Sequence, residues 1–268
     1  DRQSQITGMN AGMNFSNCKG ENQTKFGFEI LGFTTDFSFL NSLNQEVGQQ
    51  QSTSEIAIYG QWRYNVGKFV LEPSVRLQYY ASLTAFSPEP RIGFKFNATK
   101  RLRFKGAGGF FSQNLISATS DRDVVNLFYG FLSGPDNLQD DVLNEDGSRT
   151  EVKSPLQLGR HAIFGFEYDV SKYISLNIEG YYKWFNQLTN LNRNKLYDEN
   201  RVGAEISDSL KKDFIVETGN AYGVDVSAKF EKKQFSASLI YSWSYVDRWD
   251  GSQRYNPIWD RRHNINFL

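Results

Sequence analysis

The strongest constraint on the fold of this chain is a recurring alternation of apolar and polar residues with a period of two. Between positions 235 and 245, one face carries Phe, Ala, Leu, Tyr, Trp and Tyr, while serine dominates the other. Similar alternation runs through 69–79, 91–96, 174–184 and 222–230. Because successive side chains of a strand point to opposite sides, the pattern predicts β-strands with one apolar and one polar face. We expect about eleven strands of roughly 9–13 residues, longer than is usual in soluble proteins.

The composition agrees with strands that are apolar on one face only. Aromatic residues make up 15% of the 268 residues, yet the mean hydropathy is −0.54. The 30 basic and 30 acidic residues cancel, so no nucleic-acid partner is expected. One cysteine and two methionines exclude a disulfide framework and a thiolate metal cluster. No run of about 18 apolar residues is present, so a membrane helix is excluded as well.

Short and long connections alternate between the predicted strands. Short turns are predicted at 67–68, 98–100, 171–172 and 231–234. The longer polar segments are 41–54, 82–89, 114–154, 189–217 and 248–259. Strict alternation places every long connection at one end of the sheet. This asymmetry is typical of bacterial outer-membrane barrels, which have short periplasmic turns and long external loops.

The apolar face has aromatic residues at both ends and aliphatic residues between them. Beside the short turns lie Tyr64, Phe69, Phe96, Tyr168, Phe230 and Phe235. Near the long loops lie Tyr79, Phe110, Trp184, Tyr222, Trp243 and Tyr245. Lipid headgroup interfaces select two such aromatic belts around an aliphatic band. We therefore predict an antiparallel up-and-down transmembrane β-barrel, with its polar face towards a wet lumen. Because an open sheet edge is costly in lipid, we expect sequence outside this chain to complete the ring.

Several short segments carry a resemblance to one known family. They include two strands that begin with Pro and a nearby Arg, a strand ending in Gln, a Gly-x-acid strand start and a Pro…Asp…His pattern. The segments are 73–76, 90–94, 103–113, 220–225, 255–257 and 260–263. Together they resemble the C-terminal part of the β-barrel of a TonB-dependent outer-membrane receptor of the Bacteroidetes-like kind. One departure is that Gly165 precedes Glu167, where the family has the acid first.

The resemblance covers 1–268 and implies a single partial barrel domain, with about 11 of the family's 22 strands. The family's plug domain, TonB box and final strands are expected outside this chain. The implied function is binding of a large scarce nutrient (a siderophore, cobalamin or a glycan) and its TonB-energised import across the outer membrane of a Gram-negative bacterium. The implied partners are outer-membrane lipid, the TonB complex through the missing plug and the extracellular nutrient. A surface lipoprotein is a further candidate partner.

Two other hypotheses remain open from the sequence. The first is a passive outer-membrane porin or structural barrel, which would lack a plug domain upstream. The second is a soluble carbohydrate-binding domain, in which the ring-rich face would be buried against a second sheet and long loops would occur at both ends.

Ligand contacts are expected among inward-facing residues near the long loops and in the loops themselves. Rings beside amides would suit a sugar or an aromatic chelate. The candidates are Gln78, Tyr80, Arg91, Phe111, Gln113, Lys183 and Phe185 on strands, and Trp249, Tyr255 and Trp259 in a loop.

Neither catalysis nor a cofactor is expected. His161 and His263 are the only histidines, and no serine–acid arrangement around them indicates a nucleophilic site. The segment 114–154 is rich in carboxylates, which could hold Ca²⁺. Its spacing over 140–147 does not match an EF-hand, so a solvated acidic loop is favoured over a metal site.

Overall fold

The computed structural model of the chain describes residues 2–40, 46–117, 131–133, 138–192, 212 and 214–268. Within these residues it has sixteen β-strands and one short 3₁₀ helix, Ala81–Leu83. No helix in these ranges is long and apolar enough to cross a membrane. The strands are β1 Arg2–Lys19, β2 Asn22–Leu40, β3 Glu46–Val66, β4 Phe69–Tyr80, β5 Ala85–Asn97, β6 Leu102–Gln113, β7 Leu115–Ser117, β8 Phe131–Ser133, β9 Asp141–Leu143, β10 Arg149–Glu151, β11 Gln157–Ser171, β12 Ile174–Leu191, β13 Phe214–Lys232, β14 Phe235–Trp249, β15 Arg254–Tyr255 and β16 His263–Phe267.

Ten long strands and two short ones form a single antiparallel sheet, which we call the wall. Its order is β1-β2-β3-β4-β5-β6-β11-β12-β13-β14, and both β15 and β16 pair with β14. Chain neighbours are therefore sheet neighbours, interrupted only by the excursion from β7 to β10. Within that excursion, β7 pairs with β8 and β9 pairs with β10 in two separate small sheets. The predicted all-β, antiparallel, up-and-down architecture is confirmed.

The two faces of the large sheet differ in exposure as the alternation predicts. In β3, Ile58 on one face is 60% exposed, whereas Glu55 on the other face is 8% exposed. In β14, Leu239 and Trp243 are 45% and 37% exposed. Among the described residues, no second sheet covers this apolar face, which contradicts the soluble-domain hypothesis. So large a contiguous apolar surface marks a face that meets another apolar phase.

The polar face is held together by charged side chains that reach across a strand. Arg76 of β4 donates to Glu29 of β2 at 3.0 Å, across β3. Lys95 of β5 donates to Glu167 of β11 at 3.0 Å, across β6. Arg103 of β6 also donates to Glu167, at 2.8 Å. Several of the charges that the alternation places on this face are therefore paired with one another.

Members of both predicted aromatic belts contact one another on the apolar face. At the short-turn end, Phe69 stacks on Phe96 with 4.4 Å between ring centroids. At the long-loop end, Tyr182 lies 4.4 Å from Trp184 and 5.5 Å from Tyr222. The antiparallel register produces these contacts, because Phe69 pairs with Phe96 and Tyr182 with Tyr222.

Five short turns lie at one end, at 20–21, 67–68, 98–101, 172–173 and 233–234, and the four-residue connection 81–84 lies at the other. Gly20, Gly67 and Lys233 have φ of 62°, 59° and 53°. Positive φ is what two-residue hairpin turns require, because their twist must match that of the strands. The predicted turn 171–172 lies one residue before the observed one, and the predicted turn 231–234 contains the observed one but begins two residues early.

Some of the predicted long connections are wrong. The segment 82–89 is mostly strand, since only 81–84 separates β4 from β5. Likewise β3 begins at Glu46 rather than after 54. The wall strands have 12 to 21 residues, whereas crossing a bilayer at a tilt needs about 9–11. The strands therefore extend beyond the apolar band, where both faces carry polar residues and the sequence is indistinguishable from a loop.

The connection between β6 and β11 folds back onto the polar face of the wall. Ser133 in β8 lies 3.2 Å from the Thr35 hydroxyl, and its hydroxyl accepts a hydrogen bond from Thr53 at 2.9 Å. Asn114 donates to Thr53 at 3.4 Å. All four residues are fully buried. Because buried hydroxyls need partners, these hydrogen bonds fix where β8 lies against β2 and β3.

We predict that Leu239→Arg in the full-length protein destabilises it by about 2–4 kcal/mol, because this side chain would be charged near the middle of the lipid. Leu239 lies midway between Phe235 of one belt and Trp243 of the other. Reversible denaturant unfolding in lipid vesicles measures the effect. The matched control is Ser238→Arg, on the polar face of the same strand, for which we expect less than about 1 kcal/mol. Equal destabilisation by both variants would contradict the assigned orientation.

Thr53→Val tests the attachment of β8 to the wall. The substitution keeps the shape and removes one hydroxyl, so we expect local opening to become easier by about 1–2 kcal/mol. Amide hydrogen exchange in β8 should accelerate by roughly tenfold or more, while exchange in β11–β14 stays unchanged. Ser52→Ala is the control, because Ser52 bonds Thr34 at 3.0 Å on the opposite face of the same strands. Unchanged exchange in β8 would exclude this attachment.

Candidate ligand-binding face

Four of the predicted contact residues meet on the polar face near the long-loop end. We call Arg91, Phe111, His161, Lys183 and Phe185 the ring–cation cluster. The Arg91 guanidinium lies 4.3 Å above the Phe111 ring, which stacks on His161 with centroids 4.4 Å apart. Phe185 meets the same imidazole edge-on, with centroids 6.3 Å apart. The cluster thus joins side chains of β5, β6, β11 and β12.

Glycines and register bring these side chains together. His161 is paired with Gly109 on one side and with Lys183 on the other. A Cβ at Gly109 would approach Arg91 Cγ to 2.6 Å, so only glycine lets Arg91 lean across β6 towards Phe111. The glycine run of β6 therefore has a packing role in this wall.

The cluster contains two cations, of which Arg91 has an ion pair and, among the described residues, Lys183 has none. Arg91 donates to Glu89 at 2.5 Å, but its Nε is buried and has no hydrogen-bond partner. Among the described residues Lys183 has no ion pair, and its ammonium lies 5.4 Å from the Tyr181 ring. Stacked rings beside cationic donors can bind a ligand that has planar groups and anionic or acceptor oxygens.

Gln78 and Tyr80 lie instead in a buried polar region of β4. The Gln78 amide donates to Glu55 at 2.8 Å and accepts from Arg76 at 2.7 Å. The Tyr80 hydroxyl is 2.9 Å from Ser112, and the residue is 1% exposed. Their polar groups are already partnered within the wall, so in this conformation they have little surface to offer a ligand.

The remaining predicted contacts are dispersed at the outer end. Gln113 donates to the Leu115 carbonyl at 2.5 Å. The Trp249 indole donates to the Leu143 carbonyl at 2.7 Å and so joins β14 to β9. Three further contacts hold the same region: Tyr255 to Glu217 at 2.7 Å, Asn190 to Tyr255 at 3.3 Å, and Arg248 over the Trp259 ring at 5.1 Å. Trp249 in β14, Tyr255 in β15 and Trp259 thus lie together, apart from Gln113 in β6 and from the ring–cation cluster.

His161 is the cluster member that the candidate contacts omitted. The alternation of side chains along the strand places it on the polar face or at the rim. Its position opposite Lys183 follows only after pairs are counted outward from the 172–173 turn. The turn was predicted one residue too early, so this register was not available from the sequence.

Three of the described carboxylates of the acidic loop are paired with neighbouring cations. The ion pairs are Asp140–Lys212 at 3.0 Å, Asp141–Arg149 at 2.7 Å and Glu145–Arg254 at 2.5 Å. Asp146 accepts hydrogen bonds from the Ser148 hydroxyl and amide, which lower the pKa of that carboxyl. Within the described ranges, no three metal-ligating residues form a group that could hold an ion. Asp121, Asp123 and Asp136 lie outside the described residues.

The fold is similar to that of solved outer-membrane transporters, although the sequence identities are low. No protein-family model and no curated protein matches the sequence. The FrpB iron transporter of Neisseria meningitidis (F3-3 variant) has a TM-score of 0.59 at 12% identity, over 93% of this chain and 37% of the transporter. The siderophore receptor PirA of Pseudomonas aeruginosa has a TM-score of 0.57 at 9% identity, over 92% of this chain and 45% of the receptor. The RagAB peptide transporter has a TM-score of 0.54 at 10% identity, over 97% of this chain and 31% of the transporter.

The chain therefore spans less than half the length of these structures. At such identities the likeness concerns the fold alone, and no site residue can be transferred. The matched proteins are transporters and receptors rather than enzymes, in agreement with the expectation from the sequence. The described sheet has the fold of part of the wall of an outer-membrane transporter barrel.

Proposed function

We propose that the full-length protein is a receptor in the outer membrane of a Gram-negative bacterium that binds a large scarce nutrient and imports it. This chain supplies about half of the barrel wall in the 22-stranded arrangement. The observation that carries the proposal is the two-faced wall, whose exposed face is apolar and belted by rings while its other face is polar. The similarity of the fold to iron, siderophore and peptide transporters supports the same conclusion.

The receptor part of the proposal rests on the ring–cation cluster. It lies near the long-loop end, where a ligand arriving from outside would first meet the polar face. Its stacked rings and the Lys183 ammonium, which has no ion pair among the described residues, offer planar contact and a hydrogen-bond donor together. Siderophores, cobalamin and glycans all combine such groups. The similar structures have the same fold but bind different cargo. This supports the view that side chains and loops, rather than the fold of the wall, determine which cargo is bound.

We propose that import is energised by the TonB complex, acting through a plug domain outside this chain. The physical reason is kinetic: a scarce nutrient must be bound tightly, and tight binding makes release slow. Work applied to a plug would open a path and release the ligand. A surface lipoprotein is the proposed partner for capturing large cargo at the long-loop end.

Uptake by intact cells tests the transport proposal. The full-length protein should fractionate with outer membrane and migrate differently on gels before and after heating. Accumulation of ferric siderophores, cobalamin or glycans, assayed as a panel, should require the protein. It should cease when the proton gradient is collapsed, while surface binding remains. Uptake of small solutes that persists without the gradient would instead identify a passive pore.

Phe111→Ala should weaken binding of the cargo identified by that panel by about 10–100-fold, because a stacking ring at a binding centre contributes about 1–3 kcal/mol. Lys183→Gln should act in the same direction if the cargo is anionic. The matched control is Phe110→Ala, which removes a ring from the neighbouring position on the lipid-facing side. Equal losses for the two Phe variants, or no loss for Phe111→Ala, would exclude the cluster as the binding site.

A further inference from the structure

Arg160 is a basic residue on the apolar face of the sheet. In β11 it is paired with Phe110 of β6 and with Trp184 of β12, both of which are exposed on the apolar face. Among the described residues of β5, β6, β11 and β12, it is the single basic side chain on that face. The other basic residues of these strands lie on the polar face, where Lys95, for example, is paired with Glu167.

The position of Arg160 along the strand is the outer lipid interface. It precedes Tyr168 of the short-turn belt by eight residues, about 26 Å along an extended strand. Trp184 beside it belongs to the opposite belt. Arginine on the lipid face is costly at the bilayer centre and costs about 0–1 kcal/mol near the interface. Its head therefore lies at headgroup depth, while its methylene stem lies against the rings.

The guanidinium has no partner in the part of the wall that the structure describes. Its one contact is with the face of Phe110, at 5.3 Å from the ring centroid. By contrast, Arg76 and Arg103 on the polar face each bind a carboxylate at 3.0 Å or less. An arginine beside a ring, with no hydrogen-bond partner among the described residues, can receive an acceptor from outside the protein.

The neighbouring side chains add donors: Trp184 is level with Arg160, and Tyr182, paired with Ala162, lies two residues nearer the short-turn end. Within the described ranges, neither the Trp184 indole N–H nor the Tyr182 hydroxyl has a hydrogen-bond partner, and the two rings are 4.4 Å apart. A guanidinium matches a phosphate with two parallel hydrogen bonds, and additional N–H and O–H donors suit its remaining oxygens. The acceptor must come from the lipid side, because that is the phase this face meets.

We propose that Arg160, together with Trp184 and Tyr182, binds the phosphate group of a lipid in the outward-facing leaflet of the membrane. The proposal rests on the orientation of the wall given under the proposed function and is independent of the cargo. The bound lipid occupies the apolar surface of β6, β11 and β12 with its acyl chains, and its phosphate lies against the guanidinium.

The experiment compares lipid binding to the full-length protein and its variants in neutral maltoside micelles, which contain no phosphate, by native mass spectrometry. The probe is lipid A with its phosphates, and dephosphorylated lipid A is the matched lipid. Phosphorylated lipid A should bind at least tenfold more tightly than the dephosphorylated form. Arg160→Gln should remove that preference, and Arg160→Lys, which keeps the charge but loses the planar fork, should retain only part of it.

Arg149→Gln is the control, since it makes the same charge change in a loop strand outside the bilayer. Unaltered heat-modifiable migration of each variant shows that the barrel has formed. Inorganic phosphate at tens of millimolar should not displace the lipid, and displacement would mean that the site binds free phosphate instead. Equal binding of lipid A by the wild type and Arg160→Gln would overturn the proposal. Cargo uptake by Arg160→Gln should remain normal, which separates this test from that of the transport function.

Discussion

Backbone hydrogen bonding in a medium without water is the constraint on which the whole structure depends. Each unpaired peptide group in hydrocarbon costs several kcal/mol, so strands can cross only as a continuous ladder. From β2 to β13, every wall strand is paired with a neighbour on both sides. Once the backbone is paired in this way, alternation places one set of side chains towards lipid and the other towards the lumen of the proposed barrel. The paired charges, the aromatic belts and the ring–cation cluster all follow from that division.

Most of the fold could be predicted because the relevant information is local in sequence. The alternation around Leu239 identifies both faces, and the short turns, such as that at Gly67, identify one end of the sheet. The parts that could not be predicted depend on contacts between distant residues or on a change of environment. Nothing local indicates that Ser133 bonds Thr35 and Thr53 across the wall. Above the lipid a strand no longer needs an apolar face, so its extension to Glu46 has the composition of a loop.

The sequence predicts on which face each candidate residue lies, but not which of these residues contact one another. Parity placed Arg91, Phe111 and Lys183 on the polar side, and the structure brings them together. Their meeting depends on the register of four strands and on the missing side chain at Gly109, which sequence periodicity does not encode. Tyr80 shows the converse case. It has the predicted face, but its hydroxyl bonds Ser112 and the residue is buried.

The most direct measurement is the collision rate of nitroxide labels placed one at a time along β14, from 236 to 244, in the full-length protein in bilayers. Cys18 is first replaced by serine, because it is the one native thiol in this chain. Dissolved oxygen should collide most often at odd positions such as Leu239 and Trp243. A water-soluble nickel complex should reach even positions such as Ser238 best, giving two period-two profiles in opposite phase. Profiles in the same phase, or nickel access at the odd positions, would contradict a wall with lipid on one side and water on the other.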